Sequence, residues 1–423
     1  MAYRRPMHEP HPVHLVVEDD YERTRVTVFF RLLLAIPHFI WFSLWTIWVV
    51  ITGFVNWVIS IFTGRPPAWF HGVMCGYIRY QAHLTAYLAL VADPYPGFMG
   101  EAGEYPVDVK LPDEPVVQRR WTIFIRLLLV LPALLVSSAL AGLSAGNISS
   151  SRGKTRKGTG GGALLVVCAV LGWFASLVKG RMPKGLRDAG AYSIGYSAQA
   201  SAYLLLVTDR YPNADPTEML VDVTDRPPRH PVRVVGDPYD LRRSRLTVFF
   251  RILLALPHII WLLLWSILAF FAVIAQWFVT LFRGTPAGGL HRFLTAYVRY
   301  RLHVYAYLML VANPFPGFTG AAGTYPLDLE IEGPQRQNRW KTGFRIFLAI
   351  PSILVTAALG GALFASAVLT WFYALVKGSA PWGLRNLSAY AIRYDAQVEA
   401  YLLLLTDAYP HASPLEGDDT PVE

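Results

Sequence analysis

The chain has 423 residues, 54% of them hydrophobic and 16% charged, with a formal net charge of +9. A soluble domain is about a quarter charged. Here Leu32 to Gly64 holds no charged residue and His38 alone among histidines, and Ile346 to Val376 holds none of either, which excludes an ordinary soluble fold. A helical crossing of a bilayer takes about 20 apolar residues, so the composition reads as an integral membrane protein.

The opening stretch, MAYRRPMHEPHPVHLVVEDD, is polar and broken by prolines. It lacks the charged-then-apolar design of a signal peptide, and the expectation is a multi-pass protein with both termini on the cytoplasmic side. Most Lys and Arg flank the apolar runs, where they set topology rather than bind nucleic acid. Cys75 and Cys168 have no CxxC spacing and read as packed thiols.

Self-comparison then organises the chain. Residues 25–50 realign with 245–270 at an offset of 220, with 16 of 26 positions identical. The expected domains are therefore two tandem halves, 1–222 and 223–423. Each half contains a second, weaker copy. Every copy opens on an extended segment, such as YPVDVKL (105–111) or YPLDLEI (325–331), whose alternation predicts a strand. An Arg-x5-Pro segment follows: Arg31/Pro37, Arg126/Pro132, Arg251/Pro257 and Arg345/Pro351. A long apolar run then ends in Trp-x6-Gly: Trp57/Gly64, Trp173/Gly180, Trp277/Gly284 and Trp371/Gly378. Next comes a helix with tyrosines seven apart, Tyr80/Tyr87, Tyr196/Tyr203, Tyr300/Tyr307 and Tyr394/Tyr401, and a turn such as DPYP (93–96) or DAYP (407–410).

The second copy carries an insertion, GLSAGNISSSRGKTRKGTGGG (142–162), inside its apolar run. Irregular backbone is not tolerated against lipid, so the insertion predicts the tip of a helical hairpin. Extended to all copies, this gives an all-α integral membrane protein of four short hairpins, about eight membrane segments. An interfacial amphipathic helix follows each hairpin, and the strand-like segments lie on the cytoplasmic side. The arginine of Arg-x5-Pro is expected to snorkel to phosphate level, and the proline to bend the arm. His38 and His258 are replaced by Ala133 and Ser352 in the other copies and stand outside the common plan.

Arg-x5-Pro-His, Trp-x6-Gly, the Tyr-rich helix and the closing Thr-Asp-x-Tyr-Pro resemble the bacterial family called domain of unknown function 4389, over nearly the whole chain. The resemblance implies a bacterial plasma-membrane protein and carries no catalytic or binding residue across. Copy one departs by ending LVADPYPGF, and copy three has Asn313 for the aspartate.

Candidate chemistry is sparse. Gly142-Leu143-Ser144-Ala145-Gly146 matches GxSxG but lacks the strand–turn–helix context of a nucleophile elbow. His8, His11 and His14 are separated by prolines, which favours a tail over a metal site. His71/His291 and His83/His303 recur between halves and read as interfacial side chains. The residues singled out for anionic headgroups are Arg31, Arg79, Arg126, Arg251, Arg299, Arg345 and Arg393 with Tyr80, Tyr300 and Tyr394. Gly195 replaces that second arginine position in copy two. His38, Asn56, His258 and Gln276 form the alternative, an intramembrane polar path for a transporter or channel; for Asn56 and Gln276 an interhelical hydrogen bond is the economical reading. The expected function is a non-enzymatic membrane protein, without cofactor or metal, that binds or organises anionic lipid or scaffolds a membrane-protein partner.

Overall fold

The computed structural model describes residues 11–142, 163–220, 226–236 and 240–415. They fall into two compact units, the first holding the described residues 11–142 and 168–220, the second 163–167, 226–236 and 240–415. The first unit contains β1 (His14–Val17), α1 (Arg25–Leu34), α2 (Ile36–Thr63), α3 (Ala68–Leu88) and β2 (Val107–Lys110). It continues with α4 (Arg120–Phe124), α5 (Arg126–Leu129), α6 (Leu131–Ala141), α7 (Leu164–Lys179, from residue 168 onward), α8 (Lys184–Leu204) and α9 (Pro216–Met219). The second contains β3 (Val232–Gly236), α10 (Arg245–Phe249), α11 (Arg251–Arg283), α12 (Gly288–Leu308) and β4 (Leu327–Ile331). It closes with α13 (Arg339–Gly343), α14 (Arg345–Leu348), α15 (Ile350–Lys377) and α16 (Trp382–Leu402).

Each strand opens a copy, and the two strands of a unit pair antiparallel. Leu15 lies opposite Val109, and Val234 opposite Leu329. The expected hairpins are not what forms. In copies one, three and four the apolar run is one continuous helix, α2, α11 or α15, about 42–50 Å long at 1.5 Å per residue. These three are long and apolar enough to cross a membrane. The reason is local. Gly142 takes φ 72° and ends α6 in copy two, whereas its counterpart Gly361 and the adjacent Gly360 stay inside α15. A glycine permits a stop but does not impose one, and without the insertion the helix runs on. Most of that insertion, residues 143–162, and with it the serine of GxSxG, lies outside the described residues, as does His8.

The prolines behave differently among copies. In copies one, two and four the helix breaks just before the proline, which then sits in the first turn of the next helix, where its missing N–H costs nothing. In copy three Pro257 lies inside α11.

Trp-x6-Gly binds the two copies of a unit to each other. The Trp57 indole donates to the Ile123 carbonyl of copy two, at 2.8 Å, and Trp173 returns the bond to Val28 of copy one, at 3.1 Å. Seven residues on, Gly64 O accepts from Gln118 N, and Gly180 O from Arg23 N. The second unit repeats the exchange through Trp277 to Thr342, Trp371 to Val248, Gly284 to Gln337 and Gly378 to Arg243. Two turns of helix separate tryptophan and glycine, so both reach the entry segment of the other copy.

The tyrosine helices α3, α8, α12 and α16, expected at the surface, are the buried core: Tyr80, Tyr196, Tyr300 and Tyr394 are at most 2% exposed. Each is enclosed because an apolar helix (α2, α11 and α15, or the short α6 in copy two) and a ribbon strand both pack on it. On α3 the long helix meets Met74, Tyr77 and Tyr80, through Gly53, Phe42, Thr46 and His38. The strand and its extension meet His71, Arg79 and His83, through Pro112, Val109 and Asp108. At 3.6 residues per turn these two stripes are centred on opposite sides of the helix.

Gly100 lies where the 94–100 segment crosses α3. It has φ 63°, and a Cβ there would stand 2.6 Å from Tyr80 N. Gly100→Ala is expected to destabilise the chain by about 2 kcal/mol or more. Gly103→Ala, at φ 75° but facing open space, should lose only the left-handed cost of about 1–2 kcal/mol. Chemical unfolding in detergent checks the difference, and equal losses would mean that the crossing is not closely packed.

Candidate functional site

The four arginines of Arg-x5-Pro do not reach outward. Arg31, Arg126, Arg251 and Arg345 are 1–2% exposed, which corrects the snorkelling expectation. Each guanidinium sits in the C-terminal end of the tyrosine helix of its own copy. Arg345 donates to Tyr401 O at 2.7 Å, Thr406 O at 2.8 Å, Gln337 Oε1 at 2.9 Å and Asp407 Oδ1 at 2.9 Å. Arg31 donates to Tyr87 O, Ala92 O and Asp93, and Arg251 to Tyr307 O, Ala312 O and Asn313. Arg126 uses Thr208 O and Gln118. All four lie 3.9–4.5 Å from the second tyrosine ring of the pair, Tyr87, Tyr203, Tyr307 or Tyr401. A helix C-terminus presents unpaired carbonyls and partial negative charge, and a planar five-donor cation matches both. The turn aspartate completes the set in copies one and four, Asn313 in copy three and Gln118 in copy two.

The same joint explains a strained residue. Leu90, Leu206, Leu310 and Leu404 adopt φ 61–62°, at about 1–2 kcal/mol each. Their carbonyls accept from Arg23, Gln118, Arg243 and Gln337, eight residues before each joint arginine. Their side chains enter the core, Leu90 beside Val28 and Met182 and Leu310 beside Val248 and Ala374.

The remaining sequence candidates also turn inward. Arg79 and Arg299 donate to Val109 O and Leu329 O and lie beside Asp108 and Asp328 on the ribbon, and Arg393 donates to Ser413 O and Pro414 O. In copy two, Gly195 leaves this space to Met219, whose sulfur is 2.7 Å from where a Cβ would stand. His71 and His83 are buried rather than interfacial, on Pro112 O and Asp108. Burial alone would raise the Asp108 carboxyl, but His83 and the Gly103 and Val109 N–H groups hold it below the usual range. His38 and His258 pair with the Tyr80 and Tyr300 hydroxyls at 2.8 and 2.7 Å and stack on Phe98 and Phe318. Asn56 meets Ser60 of its own helix, and Gln276 accepts from Ala287 N at the start of α12. Cys75 and Cys168 are buried free thiols.

What remains outward is the apolar layer. α11 exposes sixteen large apolar side chains along its 33 residues, from Ile252 to Phe282, and α2 exposes a similar band from Ile36 to Phe62. Exposed cations stand at both ends of these helices: Arg25, Arg65, Arg119 and Arg120 in the first unit, Arg245, Arg283, Arg339 and Lys341 in the second. Arg25 and Arg245 donate to Val178 O and Val376 O, at the ends of α7 and α15.

One cluster is not among the sequence candidates. In the second unit Arg301 on α12 pairs with both Asp395, at 3.1 Å, and Glu399 on α16. Tyr305 lies under the same guanidinium at 4.9 Å. One cation faces two carboxylates. Burial pushes Glu399 up to about 7, with Asp395 adding to the rise and Arg301 opposing it, and burial raises Asp395 as well. The matching positions of the first unit are Gln81, Ser197 and Ser201. The i,i+4 carboxylates of YDAQVEAY were the available signal.

These features define a helical repeat protein with a buried arginine–tyrosine joint in every copy and an exposed apolar layer. The model of the family described as Domain of unknown function (DUF4389) matches residues 25–100, 161–214, 245–319 and 339–413. The chain belongs to that family. No curated protein and no solved structure matches it.

Two outcomes follow from this geometry. Arg345→Leu removes a buried cation from Tyr401 O, Thr406 O, Gln337 and Asp407 and should cost about 3–5 kcal/mol, whereas Arg120→Gln, at an exposed helix end, should cost under about 1 kcal/mol; equal effects in denaturant unfolding would contradict the joint. Glu399 binds its proton more tightly folded than unfolded. Its contribution is therefore complete below the ordinary carboxylate range and is lost as pH rises through about 7. Melting from pH 4 to 8 should show the second unit weakening over that interval, and Glu399→Gln should flatten the slope.

Proposed function

We propose that the protein is a non-catalytic repeat protein of the bacterial plasma membrane that holds anionic lipid against an apolar face with cationic ends. The observation that carries this reading is the outer surface of α11, where sixteen large apolar side chains lie exposed between Arg245 and Arg283. Burying them at about 1.5 kcal/mol each, the low end for such side chains, amounts to on the order of 20 kcal/mol. A cation near an anionic surface adds about 1 kcal/mol. The apolar term thus dominates insertion, and the arginines select the headgroup charge. The headgroup contacts pass from the joint arginines, which are spent internally, to the exposed set Arg25, Arg119, Arg120, Arg245, Arg283, Arg339 and Lys341. A transport path through His38, Asn56, His258 and Gln276 has less support, because all four are buried against tyrosine helices or their own turns.

The test is flotation of the full chain, after detergent removal, with vesicles of zwitterionic lipid alone or with anionic lipid added. Binding to both is expected, with a preference for the anionic vesicles that falls as salt rises. Replacing Arg119, Arg120, Arg339 and Lys341 together by glutamine should reduce that preference at least about tenfold, given about 1 kcal/mol per charge. Failure to float with either vesicle, or a preference insensitive to these substitutions and to salt, would overturn the reading.

A further inference from the structure

We infer that each unit lies in one leaflet, its long apolar helices parallel to the membrane plane and its ribbon on the water side, rather than crossing the bilayer. This rests on the membrane reading above and specifies its geometry.

The argument begins with the layers. α2 and α3 run antiparallel, with His38 beside Tyr80, Thr46 beside Tyr77 and Trp48 beside Trp69, and the β1–β2 ribbon with its extension follows α3 from His71 to His83 on the side away from α2. The second unit repeats this: Ser266 and His258 meet Tyr297 and Tyr300, while Leu329 and Asp328 meet Arg299 and His303. Were α2 or α11 to stand across the bilayer, its ribbon would lie at hydrocarbon depth. A two-stranded ribbon has two edges, and lipid offers nothing to their free N–H and C=O groups. On the outer face of β3–β4, Arg233 and Glu330 form an ion pair whose side chains are 40% and 53% exposed. Neither feature is compatible with hydrocarbon.

Dimensions and charge agree. A helix is about 10–12 Å thick, and one leaflet supplies about half of a 30 Å hydrocarbon core. The outer layer therefore fits within a leaflet, with the tyrosine helices above it. A crossing helix carries its excess Lys and Arg at the cytoplasmic end. Here α2 has Arg25 before it and Arg65 after it, and α11 has Arg245 before it and Arg283 at its end. Cations at both ends suit a helix whose two ends meet the same row of headgroups.

Glu22, Thr63 and Lys110 are exposed at, in turn, the entry to α1, the end of α2 and the ribbon. In a full chain carrying Cys75→Ala and Cys168→Ala, each is replaced singly by cysteine. Right-side-out and inverted membrane vesicles are then treated with an impermeant maleimide. All three positions should label in the same vesicle type and stay protected in the other. Labelling of Glu22→Cys and Thr63→Cys in opposite types would overturn the in-plane arrangement while leaving membrane binding intact. Release of the chain into a carbonate wash would overturn the membrane reading itself, and this inference with it.

Discussion

The fold depends on a guanidinium placed in the end of a helix. Every copy finishes its tyrosine helix against the arginine that begins its own apolar run, and that arginine has few other ways to be satisfied once buried. In copies one, three and four it takes the carbonyl of the second tyrosine and a carbonyl of the turn that follows, and in copy two a turn carbonyl, joined by a turn or entry-segment side chain, and its plane lies on the second tyrosine. Burying a charge without partners costs several kcal/mol, so the joint is formed completely or the helix end cannot close. This couples four motifs that are far apart in sequence: Arg-x5-Pro, the tyrosine pair, the left-handed leucine and the Asp-x-Tyr-Pro turn.

A second constraint joins copies into units. The tryptophan and glycine at the end of one apolar run bind the entry segment of the other copy, and the exchange is mutual. A single copy would leave its indole N–H and its terminal carbonyl without these partners. Duplication is thus a structural requirement as well as a sequence feature, and the paired strands make the same point at the ribbon.

The repeats, the four strands and the family were legible in the sequence because they rest on local spacing. The helix that replaced the hairpin was not. Gly142 and Gly361 are equivalent letters, and only the residues after Gly142 decide which one stops a helix. The joint was half legible: Arg31 and its counterparts stood out, yet an arginine beside an apolar run has two solutions, snorkelling or burial. Only the partner carbonyls, 56 to 82 residues further on, discriminate between them. The same holds for Arg79 and Arg299, whose partners lie on the ribbon, and for His38, whose partner is Tyr80. Asp395 and Glu399 were hidden because their significance lies in Arg301 on a different helix.

The exposed apolar side follows from these internal commitments. The polar groups of the tyrosine helices are directed to the ribbon, the joint, the turn, each other or the inner face of the long helix, and the outer face of the long helices is left with apolar side chains and basic ends. Because the long and tyrosine helices of a unit run side by side, their tilt can be read from the protein as a whole. Oriented circular dichroism of the full chain in aligned anionic bilayers measures it through the band polarised along the helix axis. Persistence of that band with light along the bilayer normal is the predicted result; its loss, as for helices standing along the normal, would contradict the account.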